Sequence, residues 1–157
     1  MAEFEIKQIE DSSNRFFVEE ILHNVNNDFK PPLDKRININ DYTLKLYKNA
    51  IIYYAIKDSL NIGFIAFYCN NQETKIAYVP MIAIMSEFRG QGIGSKLLDI
   101  AIAHIKNNGF RKIEIETWEG SKAIFLYQKK GFKITKIQSD RIDGIRSVKM
   151  ELSLNKC

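Results

Sequence analysis

Apolar and polar positions alternate in short runs along most of the chain and change to helical spacing in a few places. Phe4 and Ile6 alternate with charged neighbours, as in an edge strand. Asp11-Ser12-Ser13 then offers N-cap side chains to a helix whose Phe17, Ile21, Leu22 and Val25 fall on one face. Pro31-Pro32 forces an extended break. Beyond it the spacing predicts a second short helix, capped by Asn40 or Asp41, with Leu44 and Tyr47 turned inward. Three β-rich runs follow at about 50–57, 61–69 and 75–84, separated by Asp58-Ser59 and by Asn70-Asn71-Gln72-Glu73. Turns this short predict antiparallel pairing. The pattern then reads helix at about 92–107, strand at 111–118, helix at 121–130, and two last strands around Asp143-Gly144.

These elements predict an α/β (α+β mixed) fold: one mixed, mostly antiparallel sheet of about seven strands flanked by about four helices. No internal repeat, low-complexity tract or linker divides the chain, so residues 1–157 read as a single domain. The composition, 45% hydrophobic and 27% charged over 157 residues, is sufficient to bury a core of that kind.

The formal net charge is +4, with basic and acidic residues interspersed and no basic run longer than a pair such as Lys129-Lys130. This argues against nucleic acid as a partner and suits an anionic small molecule equally well. The N-terminus lacks the basic-then-apolar order of a secretory signal. The longest apolar runs, such as Ala50 to Ile56, fall far short of the roughly 20 residues a membrane helix needs. With only Cys69 and Cys157, neither a disulfide framework nor a metal knuckle can be built, which points to a reducing cytoplasm, no metal and no membrane. A homodimer is left open.

The chemistry-bearing segment is Arg89-Gly90-Gln91-Gly92-Ile93-Gly94. It follows a strand ending in Ile82, Ala83 and Ile84 and leads into a helix with Leu97, Leu98, Ala101 and Ile105 on one face. Strand, glycine loop and helix form an anion-binding arrangement: glycine lets the backbone approach phosphate oxygens, and the first helical turn offers unpaired N–H groups at the positive end of the dipole. Arg89 and Lys96 are placed to add charge. A dinucleotide loop needs G-x-G-x-x-G, whereas the glycines here are at 90, 92 and 94 with Ser95 in the sixth place. A Walker loop needs Gly-Lys before Ser or Thr, and Gly94-Ser95-Lys96 has the wrong order. The alternative is a glycine turn with no ligand.

Arg89, Gly92 and Gly94 match the signature of the GNAT superfamily of N-acetyltransferases: Gln or Arg, two residues, Gly, one residue, Gly or Ala. A second element of that family, a helix with Ala and a Leu-Tyr pair ending in Gly-Phe, matches Ala123-Ile124-Phe125-Leu126-Tyr127-Gln128-Lys129-Lys130-Gly131-Phe132. The chain resembles this family closely over about residues 50–135. The resemblance implies an acetyl-CoA site over residues 79–132. The donor would lie between two splayed central strands, with pantetheine bonded near Ile82 and Ile84 and the pyrophosphate on the amides of Gln91 through Ser95. Pro80 fits a local irregularity there, since it cannot donate a ladder bond. The family's frequent Asn before the second helix is replaced by Gly120, and Ser121 or Lys122 stands in; Ser121 also reads as a simple helix cap.

By the same resemblance, a backbone N–H at Ile82 or Ala83 polarises the thioester and Tyr127 is the general acid, protonated at neutral pH with an ordinary pKa of about 10. The alternative for Tyr127 is a core aromatic. No strand acid marks a general base, because Pro80 and Met81 occupy the places where relatives often carry one. Glu114, Glu116 and Glu119 read as a solvated carboxylate face. His104 lies about 15 Å along the helix axis from the loop, and His23 belongs to the first helix. The acceptor, a small-molecule amine, would be met by Asp28, Phe29, Tyr54, Tyr68, Tyr78 and Trp118, many of them core aromatics. A catalytically weak acyl-CoA-binding module and a protein N-terminal or lysine acetyltransferase remain the competing readings.

Overall fold

The computed structural model describes residues 3–10, 15–30, 32–139 and 144–154. Seven strands form one sheet: β1 (Glu5–Gln8), β2 (Ile51–Lys57), β3 (Leu60–Tyr68), β4 (Ile76–Ile84), β5 (Lys112–Trp118), β6 (Lys133–Gln138) and β7 (Ser147–Ser153). Their order across the sheet is β1-β2-β3-β4-β5-β7-β6. All neighbours are antiparallel except β4 and β5, which are parallel. A parallel pair needs a long crossover, and the helix α3 (Ile93–Asn107) supplies it.

Both faces of the central strands are buried. The first carries α1 (Arg15–Asn24) and α2 (Ile39–Asn49), which bury Ile21, Leu22 and Leu46 against Phe64 and Ala66. The second carries α3 and α4 (Ala123–Lys129), where Leu97, Leu98, Ala101 and Tyr127 pack with Ile65, Phe67 and Ile115. Coverage on both sides explains why the central strands read as nearly continuous apolar runs.

Two expectations for α2 are corrected. Its N-cap is Asn38, whose side chain accepts from the Asp41 N–H at 3.0 Å, and not Asn40 or Asp41. The earlier start sets a face of Ile39, Thr43 and Leu46, so Leu44 points outward at 50% exposure while Tyr47 is half-buried. The periodicity was compatible with either phase, and the cap decides it. The cap expected at Asp11-Ser12-Ser13, Pro31 and Asp143 lie outside the described residues.

The feature that positions the site is a bulge in β4. Ala66 faces Met81 and Tyr68 faces Tyr78, so Phe67 alone is opposed by both Val79 and Pro80. The extra residue inverts the in–out alternation: Val79, Ile82 and Ile84 belong to the α3/α4 face, and Met81 and Ala83 to the α1/α2 face. Pairing with β5 ends at the same point, at Val79 opposite Ile115, although β4 continues to Ile84 and β5 to Trp118. Beyond the bulge the two strands splay.

On its other side the free end of β4 lies tight against β3. A Cβ at Gly63 would meet Ile84 Cδ1 at 2.7 Å and the Ala83 carbonyl oxygen at 2.9 Å. Only the first of these contacts can be relieved by a side-chain movement. Gly63→Ala should therefore lower unfolding stability by about 2 kcal/mol, within the range for overpacking, and Ile84→Ala should not restore it, because the carbonyl clash is with backbone. Urea denaturation of the single and double variants checks this.

Candidate functional site

The splayed strands open onto a cavity of about 540 Å³, a size that holds a small ligand. The free ends of β4 and β5 form two walls, α4 with the segment before it forms a third, and the α1–α2 connection closes the fourth through Val25, Asp28, Phe29, Lys30 and Arg36.

The strand chemistry follows from the ladder. The Met85 N–H donates to the Ile62 carbonyl at 2.9 Å, so by alternation the Ala83 N–H and C=O also face β3. Those of Ile82 and Ile84 then face the gap, where β5 has left the ladder. Of the two amides expected to polarise a carbonyl, Ile82 has this orientation and Ala83 does not. The Ile84 carbonyl accepts from Arg89 Nε at 3.0 Å. Tyr42 donates its hydroxyl to the Pro80 carbonyl at 3.4 Å.

The glycine loop is built as an uncapped helix start. Gly90 and Gly92 have φ of +79° and +84°, conformations that a side chain would strain, and both positions have open space around them. Gly92 occupies the N-cap of α3 with no side-chain cap, and the first helical bond runs from the Lys96 N–H to the Gly92 carbonyl at 3.1 Å. The N–H groups of Ile93, Gly94 and Ser95 thus lack intrahelical acceptors. At Gly94 a Cβ would meet only ordinary contacts, to Leu126 at 3.7 Å and Ile84 at 3.9 Å. An alanine would fit there, as the signature allows.

Of the residues singled out in the sequence, Ile82, Ala83, Ile84, Arg89, Gly94, Ser121 and Tyr127 line the cavity. Gly90, Gln91, Gly92, Ile93 and Ser95 do not line it; they form the adjoining loop and first turn, with the Ile93 side chain buried in the core. Arg89 is engaged on both sides: besides the Ile84 carbonyl it meets Asp28 Oδ2 at 2.8 Å. Donation to a carbonyl is something either Arg or Gln can do, which accounts for that choice in the signature without invoking a phosphate charge. Ser121 is buried and accepts from the Ala123 N–H at 3.1 Å, the local bond that opens α4.

Tyr127 is 3% exposed, and burial holds its pKa above the ordinary value. Its hydroxyl has no hydrogen-bond partner among the described residues and no buried polar side-chain atom is left unsatisfied, so the hydroxyl reaches the cavity it lines. Glu116 also lines the cavity. Burial, and then the charge of Glu116, raise the pKa of the neighbouring Tyr78. Glu119 is held in a two-point pair with Arg146, at 2.8 and 2.5 Å, which lowers its pKa. Glu114 is not part of the lining.

Of the residues expected to meet an acceptor, Asp28, Phe29, Tyr78 and Trp118 line the cavity, while Tyr54 is core and Tyr68 stacks on Tyr78 from outside the lining, with ring centroids 6.5 Å apart. Phe29 and Trp118 meet at 5.6 Å and join the α1–α2 connection to the end of β5. His23 bonds Asn40 at 3.2 Å, away from the cavity. His104 bonds the Tyr53 hydroxyl at 2.8 Å and packs on Phe67, on the α3 face. Sequence reasoning missed Lys30, Arg36, Ile145 and Arg146 in the lining. They sit in irregular segments, where no periodicity reports which way a side chain faces.

A seven-stranded mixed sheet opened between its parallel pair, with a glycine turn and an uncapped helix at the opening, is the architecture that the resemblance to N-acetyltransferases implied. A family model described as an acetyltransferase (GNAT) domain matches residues 48–134, more than half of the chain, and the chain belongs to that family. Over 56 residues it is 39% identical to N-alpha-acetyltransferase 30 of Schizosaccharomyces pombe, a match covering 35% of this chain and 37% of that protein. The chain spans only about a third of the length of the curated relatives it matches. Its fold is similar to that of the ribosomal-protein-S18-alanine N-acetyltransferase from Escherichia coli, with a TM-score of 0.81 and 18% identity over 99% of this chain and 96% of that one. It is also similar to a chain of the NatC complex bound to Gag peptide and CoA, with a TM-score of 0.79 and 24% identity over 98% and 100% of the two chains. Among the described residues no helix is long and apolar enough to cross a membrane, and no group of side chains could hold a metal ion.

Burial lowers the pKa of His104 below its ordinary value. The unfolded chain therefore takes up the proton first, and the stability that rests on neutral His104 is present above about pH 6.5 and lost as pH falls through the lower folded value. Denaturation midpoints measured from pH 7 to pH 5 should fall, and His104→Gln should flatten that decline.

Proposed function

We propose that the protein is an acetyl-CoA-dependent N-acetyltransferase that moves the acetyl group to a primary amine by direct attack on the thioester. The observation that carries this reading is the coincidence of three features in and beside one cavity: Ile82 and Ile84 backbone groups released from the ladder, the Tyr127 hydroxyl, and, adjoining it, an uncapped helix start at Gly92. They suit the three parts of the donor. The strand edge would hold pantetheine, the amides of Gln91 through Ser95 the pyrophosphate, and Tyr127 would face the sulfur.

The donor supplies an acetyl group on a thiol leaving group. The N–H of Ile82 would stabilise negative charge on the carbonyl oxygen as the amine adds. Glu116 lines the cavity and would accept a proton from the amine, a reading supported by the engagement of Asp28 with Arg89 and of Glu119 with Arg146. A C–N bond forms, the C–S bond breaks, and the proton lost by the amine balances the one gained by the thiolate. Tyr127 is protonated through the neutral range, so it would pass that proton to the leaving sulfur as general acid, and the proton taken from the amine by Glu116, returned through solvent, would restore the phenol.

The Asp28–Arg89 pair and the Phe29–Trp118 contact close the α1–α2 connection over the gap. This closure favours a compact acceptor: a small-molecule amine such as an amino sugar, polyamine or antibiotic. A peptide N-terminus is the second reading, favoured by the 39% identity to an N-alpha-acetyltransferase. Free thiol release with acetyl-CoA, measured across a panel of small amines and a panel of peptides, decides between them.

Tyr127→Phe should lower kcat about 10²-fold, in keeping with loss of a general acid, and leave CoA affinity unchanged by calorimetry. Unchanged turnover with binding intact would remove Tyr127 from the chemistry. Glu116→Gln should lower kcat/KM by a similar factor, with part of the loss recovered at higher pH where more of the amine is neutral. Loss of CoA affinity instead would mean that Glu116 shapes the cavity rather than accepting a proton.

A further inference from the structure

Lys57 lies outside the cavity and belongs to none of the motifs discussed so far. It is the last residue of β2, and the turn after it holds Asp58 and Ser59 at φ of +52° and +67°. Two consecutive left-handed residues make a tight two-residue hairpin turn, and Lys57 pairs with Leu60 across it. The start of the Lys57 side chain is thus fixed by the sheet. Its ammonium donates to Gln91 Oε1 at 3.0 Å and lies 5.9 Å from the centre of the Phe88 ring.

Both contacts grip the glycine loop, one on each side of Arg89-Gly90. Gln91 stands between Gly90 and Gly92, the two left-handed glycines, where the backbone has the most freedom to move. Tethering its side chain restricts the loop where its amides must converge. The tether also has a sign. The partner of Lys57 is a neutral amide, and no carboxylate pairs with it among the described residues. A solvated lysine that merely covers Phe88 would not need this bond, and one serving as a structural ion pair would have an acidic partner.

We infer that Lys57 is a positioning residue for the diphosphate end of the donor: it holds the glycine loop through Gln91 and places an uncompensated positive charge behind the amides that receive the anion. The inference rests on the acetyl-CoA reading of the site, and it separates the two ends of the donor, because pantetheine has no diphosphate.

The test is calorimetry with CoA, together with steady-state kinetics using acetyl-CoA and acetyl-pantetheine, on wild type, Lys57→Gln, Lys57→Arg and Gln91→Ala. Lys57→Gln should raise the Kd for CoA and the KM for acetyl-CoA roughly five- to tenfold, the scale of one partly exposed charge acting on an anion. Its kcat at saturating donor and its KM for acetyl-pantetheine should stay at the wild-type values. Lys57→Arg should recover most of the affinity. Gln91→Ala should show a similar loss, and the double variant Lys57→Gln/Gln91→Ala should be little worse than either single one, since both break the same tether. Wild-type affinity for CoA in Lys57→Gln, an equal loss toward acetyl-pantetheine, or additive losses in the double variant would each overturn the inference while leaving the acetyl-CoA reading intact. Failure of the wild-type protein to bind CoA would overturn both.

Discussion

The bulge at Val79 and Pro80 is the constraint on which the site depends. One extra residue in β4 opposite Phe67 reverses which side chains face each layer, and at the same residue the ladder to β5 stops. Proline contributes directly, because it has no N–H to give to a neighbouring strand. A continuous sheet would have used every backbone group between β4 and β5 for itself. The interruption leaves the Ile82 and Ile84 groups facing a cavity within a fold that otherwise buries both faces of its central strands.

The remainder of the molecule keeps this opening from closing or spreading. On one side Gly63 lets β3 approach the free end of β4 closely enough to hold it without β5. On the other, β5 is paired along its whole length with β7, from Lys112 opposite Ser153 to Trp118 opposite Ser147. The helices close the ends. Lys130 of the α4 C-cap pairs with Asp99 of α3 at 2.8 Å, and the α1–α2 connection reaches across through Asp28 and Phe29. The individual ion pairs each keep at least one partner about half exposed, and each adds little to stability. Their contribution is geometric, since they join segments far apart in sequence around one space.

The electrostatics of the site separate its two ends. At the loop, unpaired N–H groups, the helix dipole and Lys57 are all positive and suit an anion. In the cavity lining, Tyr78 and the buried Tyr127 have pKa values pushed upward, so they remain donors. Glu116 adds a carboxylate to the cavity lining. The proposed acyl transfer draws on both ends: the positive loop for the anionic part of the donor, and a protonated hydroxyl and an acidic side chain that line the same cavity.

The sequence by itself determined the order of the elements, the antiparallel hairpins and the glycine loop, because these depend on local spacing and on turn residues such as Asp58-Ser59 and Gly90 to Gly94. It also marked Pro80 as a place where the sheet is irregular, and the family resemblance singled out Tyr127, which lines the cavity. It did not determine the phase of α2, where Asn38 and not Asn40 or Asp41 is the cap and Leu44 turns outward. Nor did it distinguish Glu116 from Glu114 and Glu119: the three are close in the chain, yet one lines the cavity, one lies outside it and one is bound to Arg146. Only the tertiary structure decided these, together with the second role of Arg89 and the place of Lys57. The pairing of Glu119, the second role of Arg89 and the place of Lys57 each depend on a partner between 27 and 61 residues away in the chain, as in Glu119–Arg146, Asp28–Arg89 and Lys57–Gln91, whereas the phase of α2 turns on the local bond from Asp41 to Asn38. Periodicity reports which face a residue takes on its own element, and the folding of the sheet decides what that face meets.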